Sequence, residues 1–405
     1  MLFLSQPAIL TLELTPACGN RCAGCSNSYA AVRGRPPLPA AQWEQWLASF
    51  GPEAVRIRLS GGEPTLHPEF ERILEAAASY EAWVSIFTNG RWPDPARLLA
   101  RLRGRANIVG LLVSLHGARA STHEAFTRQC GSFAETLRNV RLALEAGVTV
   151  AFCAVLTRQN VGEIEGVVEL AQRLGVQHVA FNRYVGPALP DIELSPTQMR
   201  DVIGRVERLI SAGLPVRYGE CVPQCLALNS SRGCLAGLAQ VAIDPWGGVK
   251  PCHHAPMTVG SLLQQPLRAL WHSPAMAHWR AALPAQCSEC AALPACHGGC
   301  RVAWQMQGGE GDPLAGSMLE SYLPETVEHE LPAHGRPLLR ARLRPEPFGY
   351  VVLGRGAVVP VAAEARPLLE ACNGYNTCAE LAERFGDQGL ELLADLAGEG
   401  VLDIV

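Results

Sequence analysis

Three thiols share one short loop, Cys18, Cys22 and Cys25, spaced C-x3-C-x2-C in the stretch TPACGNRCAGCSN. Four thiolates would close a structural zinc site or complete an iron–sulfur cage, whereas three leave a coordination position open. A [4Fe–4S] cube held in this way keeps one iron free for a non-protein ligand. A zinc ion with a distant fourth ligand is the structural alternative at this spacing. A second motif, LSGGEP (Leu59 to Pro64), brings paired glycines, to which a ligand can come close enough to use backbone N–H and C=O groups.

A second cysteine field lies downstream. Cys234 is followed by twelve residues, Gly247, four residues and Cys252, and then CSECAALPACHGGC sets Cys287, Cys290, Cys296 and Cys300 at C-x2-C-x5-C-x3-C. Cys221 and Cys225 precede this run. Paired C-x2-C units serve zinc ribbons and iron–sulfur clusters alike, so spacing leaves both open. The chain has 15 cysteines, but a disulfide scaffold suits short secreted chains, and this one is long and its cysteines clump at metal-ligand spacing. Cys130, Cys153, Cys372 and Cys378 stand apart.

The elements that must position these groups follow from periodicity. Between residues 8 and 185 the apolar runs AILTLEL, AVRIRLS, AWVSIFT, IVGLLVSL, VTVAFCAVL and HVAFNRYV alternate with amphipathic stretches such as AAQWEQWLASF and FAETLRNVRLALEAG. Runs apolar on both faces suit parallel strands covered by helices. Six strand–helix repeats therefore predict an α/β fold with a parallel sheet, open or curled into a partial (β/α)6 barrel of the TIM type. Sites in such folds gather at the C-terminal strand ends. The three-cysteine loop follows the first predicted strand and LSGGEP the second, both at that edge. Residues 306–335 carry breakers and acidic residues without periodicity and read as a linker. LLRARLRP, FGYVVLG and GAVVPV then predict three short strands, and EARPLLEAC, TCAELAERFG and QGLELLADLAGEG three helices, a winged-helix-like β3α3 module.

With 405 residues, 48% hydrophobic and 18% charged, and a net charge of -4, the composition is that of a soluble globular chain of two or three domains. Scattered Lys and Arg exclude a nucleic-acid patch, and no apolar run reaches the roughly 20 residues of a membrane helix. The start, MLFLSQPAILTLEL, lacks a charged segment and a cleavage site, so no signal peptide is expected and the location is expected to be cytoplasmic.

The cysteine loop and GGEP together resemble the radical S-adenosylmethionine (SAM) enzymes, which carry such motifs after strands one and two. The resemblance implies that Cys18, Cys22 and Cys25 hold a [4Fe–4S] cluster whose open iron is chelated by the methionine part of SAM. It also implies cofactor contacts from Gly61, Gly62, Glu63 and Pro64, and from Asn89 and Ser114 in the strand-end motifs TNG and SLH. Gly24 stands where most members have an aromatic residue near the adenine, so that packing does not carry over at this position.

The second field resembles the SPASM extension of peptide-modifying radical SAM enzymes, which holds two auxiliary iron–sulfur clusters. By that resemblance Cys234, Cys252 and Cys300, with Cys225 or Cys221, hold the first, and Cys287, Cys290 and Cys296 the second. No cysteine occurs at 301–371, so the second cluster needs another ligand, such as Cys221, an Asp or a His, or keeps an open site. Residues 336–405 resemble the PqqD-like domain that binds leader peptides by adding a strand, here beside Ala357 to Val361. An unrelated winged helix is the structural alternative for that tail.

The expected organisation is a radical SAM barrel over 1–204, a SPASM domain over 205–305, a linker over 306–335 and a recognition domain over 336–405. The expected function is a peptide maturase that cleaves SAM to a 5′-deoxyadenosyl radical and abstracts hydrogen from a ribosomally made precursor peptide, installing a thioether or C–C crosslink type of modification. A flavodoxin or ferredoxin would supply electrons. The alternatives are a sulfatase-maturing or heme-type radical SAM oxidoreductase, and a non-catalytic zinc-ribbon interaction protein.

Overall fold

The computed structural model describes residues 2–219, 222–227, 230, 233–309, 311–316 and 331–405. Its centre is a sheet built from β1 (Ile9–Glu13), β2 (Arg56–Ser60), β3 (Trp83–Thr88), β4 (Ile108–Ser114), β5 (Val150–Leu156) and β6 (Val179–Arg183), paired in that order and all parallel. The helices α1 (Ala40–Phe50), α2 (Phe70–Ala78), α3 (Pro95–Leu102), α4 (Ala120–Thr127), α5 (Ser132–Glu145), α6 (Ile164–Leu174) and α7 (Pro196–Ser211) lie between the strands. Alternation within each strand sets the two faces. Leu10 and Leu12 of β1, Ile57 and Leu59 of β2 and Ile86 of β3 enter the core with Trp43 and Leu47 of α1. Arg56, Arg58 and Ser60 of β2 line a cavity instead.

The expected partial barrel is present, and it is wider than six strands. A seventh parallel strand, β7 (Val216–Tyr218), pairs with β6. On the other side β8 (Gln240–Ile243) lies parallel to β1, and β9 (Gly248–Lys250) and β10 (Gly260–Ser261) continue antiparallel, giving ten strands. The cysteine-rich region thus extends the barrel's own sheet. One hydrophobic core runs through both, taking in Val241, Ile243, Trp271 and Trp279 with the barrel residues. Two buried ion pairs tie the join: Lys250 to Glu13 at 2.7 Å, each side chain 1% exposed, and Arg183 to Asp312 at 2.7 Å.

Asp312 changes the reading of the expected linker. Its carboxylate takes both Arg183 nitrogens and accepts from the Cys300 and Leu314 backbone N–H groups. Residues 311–316 therefore fold back onto the barrel, although their composition is that of a loop.

The tail has two small sheets. β11 (Pro337–Leu339) pairs with β15 (Leu402–Ile404), and β12 (Arg342–Glu346), β13 (Gly349–Gly354) and β14 (Ala357–Val361) form an antiparallel meander. The expected first strand divides at Arg340–Ala341, and the three-residue β15 is too short to show a period. The expected second and third helices are both present within Cys378–Gly398, separated by a kink at Gly386, which takes the non-helical φ 70°.

The tail is seated on the barrel. Val351 and Leu353 of β13 pack with Leu4, Ala8, Val55 and Ala239. Ala8 and Val55 immediately precede β1 and β2, so the contact lies at the N-terminal strand ends, opposite the cysteine loop. The buried carboxylate of Glu346 accepts from Ser5 N–H at 2.6 Å and from Arg344 Nε at 2.9 Å, and Arg344 Nη2 donates to the Gln6 carbonyl. Removing the cation beside a buried carboxylate leaves charge uncompensated. Arg344→Ala should therefore lower unfolding free energy by about 3 kcal/mol in chemical denaturation. A loss below about 1 kcal/mol, within the range of exposed ion pairs, would show that this knot does not hold the tail.

Candidate functional site

The loop after β1 is pinned from two sides by backbone hydrogen bonds. From the β2 side, Leu14 N–H donates to Ser60 O (2.8 Å), Gly62 N–H to Thr15 O (2.7 Å) and Glu63 N–H to Ala17 O (2.7 Å). From the other side, Arg21 and Ala23 donate to Thr127 and Phe126 at the end of α4. The approach at GGEP is too close for any side chain. A Cβ on Gly61, which sits at φ +143°, would lie 2.7 Å from Thr15 O, and one on Gly62 only 2.3 Å from Ala17 O. The paired glycines are thus required by the cysteine loop itself.

Glu63 faces away from the cavity. It is fully buried and accepts from Thr65 Oγ1 (2.8 Å), Thr88 Oγ1 (2.9 Å) and Asn89 N–H (2.8 Å), so it locks the end of β3 to the end of β2. Burial raises its pKa, against the pull of those hydrogen bonds. The TNG turn is held further by Thr136 to Asn89 O and Asn139 to Gly90 O. Asn89 then directs its side-chain nitrogen at the Cys18 sulfur (3.6 Å), which also receives the Asn20 N–H at 3.4 Å.

Above this frame is a cavity of about 810 Å³. Cys18, Cys22, Cys25, Gly61, Gly62, Asn89 and Ser114 line it, as the motifs lead one to expect, but Glu63 and Pro64 do not. Cys234, Cys252 and Cys300 line the same cavity. Cys225, Cys287, Cys290 and Cys296 surround a small pocket beside it, Cys296 lining both. Cys225 thus lies beside the cysteines of the second expected set rather than beside Cys234, Cys252 and Cys300. The reason is local: Gln224 N–H donates to Cys296 Sγ (3.4 Å) and Gly233 N–H to Ala295 O, which draws the segment before Cys234 onto the C-x5-C loop. Cys221 lies outside the described residues.

The donor chemistry fits clusters. Burial and the neighbouring Cys25 and Cys18 push the Cys22 thiol up to about 12, and burial with Cys296, Cys225 and Cys290 pushes Cys287 up to about 11. Burial raises Cys252 well above the ordinary thiol range, with Cys234 and Cys300 adding to it. Thiols packed this closely oppose one another's ionisation, and a bound cationic centre relieves that opposition. Among the described residues no three Cys, His, Asp or Glu side chains converge as a single-ion site requires. A cluster instead spreads its thiolates over several irons.

The pattern of the Radical SAM superfamily matches residues 12–171, and that of the SPASM iron–sulfur cluster-binding domain matches residues 234–296. The chain is 30% identical over 317 residues to a mycofactocin maturase, MftC, of Mycobacterium ulcerans, covering 74% of this chain and 84% of that protein. The chain belongs to the radical SAM superfamily. An AdoMet-dependent heme synthase of Methanosarcina barkeri is 25% identical, with 66% of this chain and 83% of that one covered. In fold, the enzyme resembles the crystal structure of Streptococcus suis SuiB bound to its precursor peptide SuiA, with a TM-score of 0.63 at 17% identity, covering 79% of this chain and 76% of that one.

As a radical SAM enzyme it uses a [4Fe–4S] cluster and SAM, and its SPASM region carries auxiliary clusters. Some lining residues carry no motif. Tyr184, just beyond β6, places its ring 3.2 Å from where a Cβ on Gly24 would stand, so an aromatic ring already fills the space beside that glycine. Arg58 reaches Gln240 at 3.1 Å across β2 and β8, and Asn182 donates to Cys153 at 3.0 Å. The polar positions alternating along β2 were the available signal for Arg56 and Arg58.

The grouping of the thiols is testable on reconstituted enzyme. Cys225→Ala and Cys287→Ala should each lose the same cluster, about four irons per chain, and leave the signal of the Cys234 set in electron paramagnetic resonance. If Cys225→Ala instead matched Cys234→Ala, the assignment of Cys225 to the second set would fail.

Proposed function

We propose that this enzyme matures a ribosomally made precursor peptide by radical chemistry in the cavity that both sets of thiols line. One observation carries the reading: Cys18, Cys22 and Cys25 open onto the same cavity as Cys234, Cys252 and Cys300. A residue lodged there would be within reach of both centres. The volume suits a peptide segment lying beside SAM. When bound, the first cluster supplies the electron that cleaves SAM to the 5′-deoxyadenosyl radical that takes hydrogen from the substrate.

The chain's own residues then have separate tasks. Gly61, Gly62, Asn89 and Ser114 are the SAM contacts in this reading, because they line the cavity next to the cysteine loop. Glu63 and Pro64 act by positioning the loop and the TNG turn. The working parts are a barrel over 1–204, a SPASM part over 205–305, which share a sheet, and a PqqD-like tail over 336–405. The tail's meander followed by helices supports that last assignment, as does the maturase character in the names of relatives. Electrons come from a flavodoxin or ferredoxin. The described cysteines are all free thiols, which suits the cytoplasm. No helix among the described residues is long and apolar enough to cross a membrane.

With a strong reductant, the enzyme should form 5′-deoxyadenosine and methionine from SAM, and Cys18→Ala/Cys22→Ala/Cys25→Ala should form neither. Incubation with the product of a small open reading frame beside the gene should change that peptide's mass. A mass change on a porphyrin and none on any peptide would favour the heme-type alternative.

For the leader, the outer edge of β14 is the proposed docking strand. Pro360 pairs with Val351 yet has no N–H, so position 360 turns its nitrogen away from β13, and by alternation so does Val358. Val358→Pro should therefore remove an edge donor while sparing the β13 pairing. Leader affinity, read by fluorescence polarisation, should fall tenfold or more, about 1.4 kcal/mol. Unchanged affinity would take the leader elsewhere.

A further inference from the structure

The strand β3 measures the distance between the tail and the thiol loop. It begins at Trp83, and Asn89 stands six positions further, just past its end. Trp83 touches the tail. Gly356, in the turn between β13 and β14, holds φ +76°, and a Cβ on it would lie 2.9 Å from Cε3 of Trp83 and 3.1 Å from Nη2 of Arg56. At the other end, Asn89 Nδ2 reaches the Cys18 sulfur at 3.6 Å. A strand rises about 3.3 Å per residue, so about 20 Å separates the start of β14 from the thiol loop. The neighbouring strand agrees: Val55, packed with Val351 and Leu353 of the tail, stands six positions before Gly61 on the cavity. Polar contacts hold the same seat, because Arg342 donates to the Pro52 carbonyl and Arg344 pairs with Glu53 at 3.4 Å, both just before β2.

We infer that the enzyme modifies only residues at least about six positions away, along the precursor peptide, from the segment docked on β14. This rests on the reading that a leader adds a strand to that edge. SAM is held at the thiol loop, so a residue that gives up hydrogen must lie close to that loop. An extended chain covers at most about 3.6 Å per residue, so spanning about 20 Å takes about six residues drawn straight. Any path round the rim of the sheet is longer, which makes six a floor. No comparable ceiling applies, because the entropy of closing a flexible spacer grows only with the logarithm of its length. The substrate class follows. It is a precursor whose docking segment and modified position are joined by a spacer of constrained length and free sequence. A peptide that places both within a few residues binds without being modified.

The test uses the reconstituted full-length enzyme and the peptide encoded by the small open reading frame beside the gene. Fluorescence polarisation on labelled, truncated peptides maps the docked segment, and tandem mass spectrometry locates the modified residue. The two should lie at least about six residues apart. Deleting the residues between them until about three remain, a reach of about 10 Å, should lower product at least tenfold while affinity stays within about threefold. Refilling the gap to about nine residues with Gly and Ser should restore product to within about threefold of the native peptide. Full product at three residues, with affinity still dependent on Val358, would overturn the spacing alone. So would a failure of the Gly and Ser refill, because the sequence of the spacer rather than its length would then decide. Affinity unchanged in Val358→Pro would overturn the docking reading and the spacing together.

Discussion

Everything at the site depends on one close approach, that of the Thr15–Ala17 carbonyls to the backbone of Gly61 and Gly62. Without side chains there, the loop after β1 can lie on the end of β2 and form the two 2.7 Å hydrogen bonds to Gly62 and Glu63. A single methyl at either glycine would force these carbonyls away, because the clash would be with backbone rather than with a side chain that could turn aside. The three thiols keep their mutual geometry only while that contact holds. The Gly62 and Glu63 N–H groups are consequently spent on the loop.

The second element of the frame is the buried Glu63 carboxylate. It draws on donors from two strand ends, Thr65 beyond β2 and Thr88 and Asn89 at β3, and so converts two neighbouring ends into one rigid ledge. Burying a carboxylate without such donors would be costly. The ledge also fixes Asn89, which reaches the Cys18 sulfur. The route from motif to thiol therefore passes through a side chain that never meets the cavity.

The sequence made the barrel and the three cysteine sets legible because both follow short-range rules, the alternation of apolar runs and the spacing of thiols. Its silence elsewhere has physical causes. β8 to β10 and β7 are two to four residues long, too short for a period, and they become strands by joining an existing sheet edge. Asp312 lies in a stretch of Gly and Pro, and only the fold brings it to Arg183, 129 positions away. Cys225 precedes both auxiliary sets in sequence, so its neighbours depended on packing such as that of Gln224 against Cys296. Glu63 shares its motif with the cavity-lining Gly61 and Gly62 but is itself buried beneath them, because which way a side chain turns at a strand end is set by neighbours from other strands.

Charge links these parts. Arg33, Arg56, Arg58, Arg183, Arg217 and Arg301 line the cavity, and among the described residues no Asp or Glu does. The bound clusters and the carboxylate of SAM bring negative charge into this space, and a lining with arginines and no described carboxylate suits that charge. Buried guanidinium and crowded thiols each destabilise the chain alone, and each is relieved by the other once the thiols are ionised on iron. The shared sheet and the Lys250–Glu13 pair hold the barrel and the SPASM region in register around those thiols.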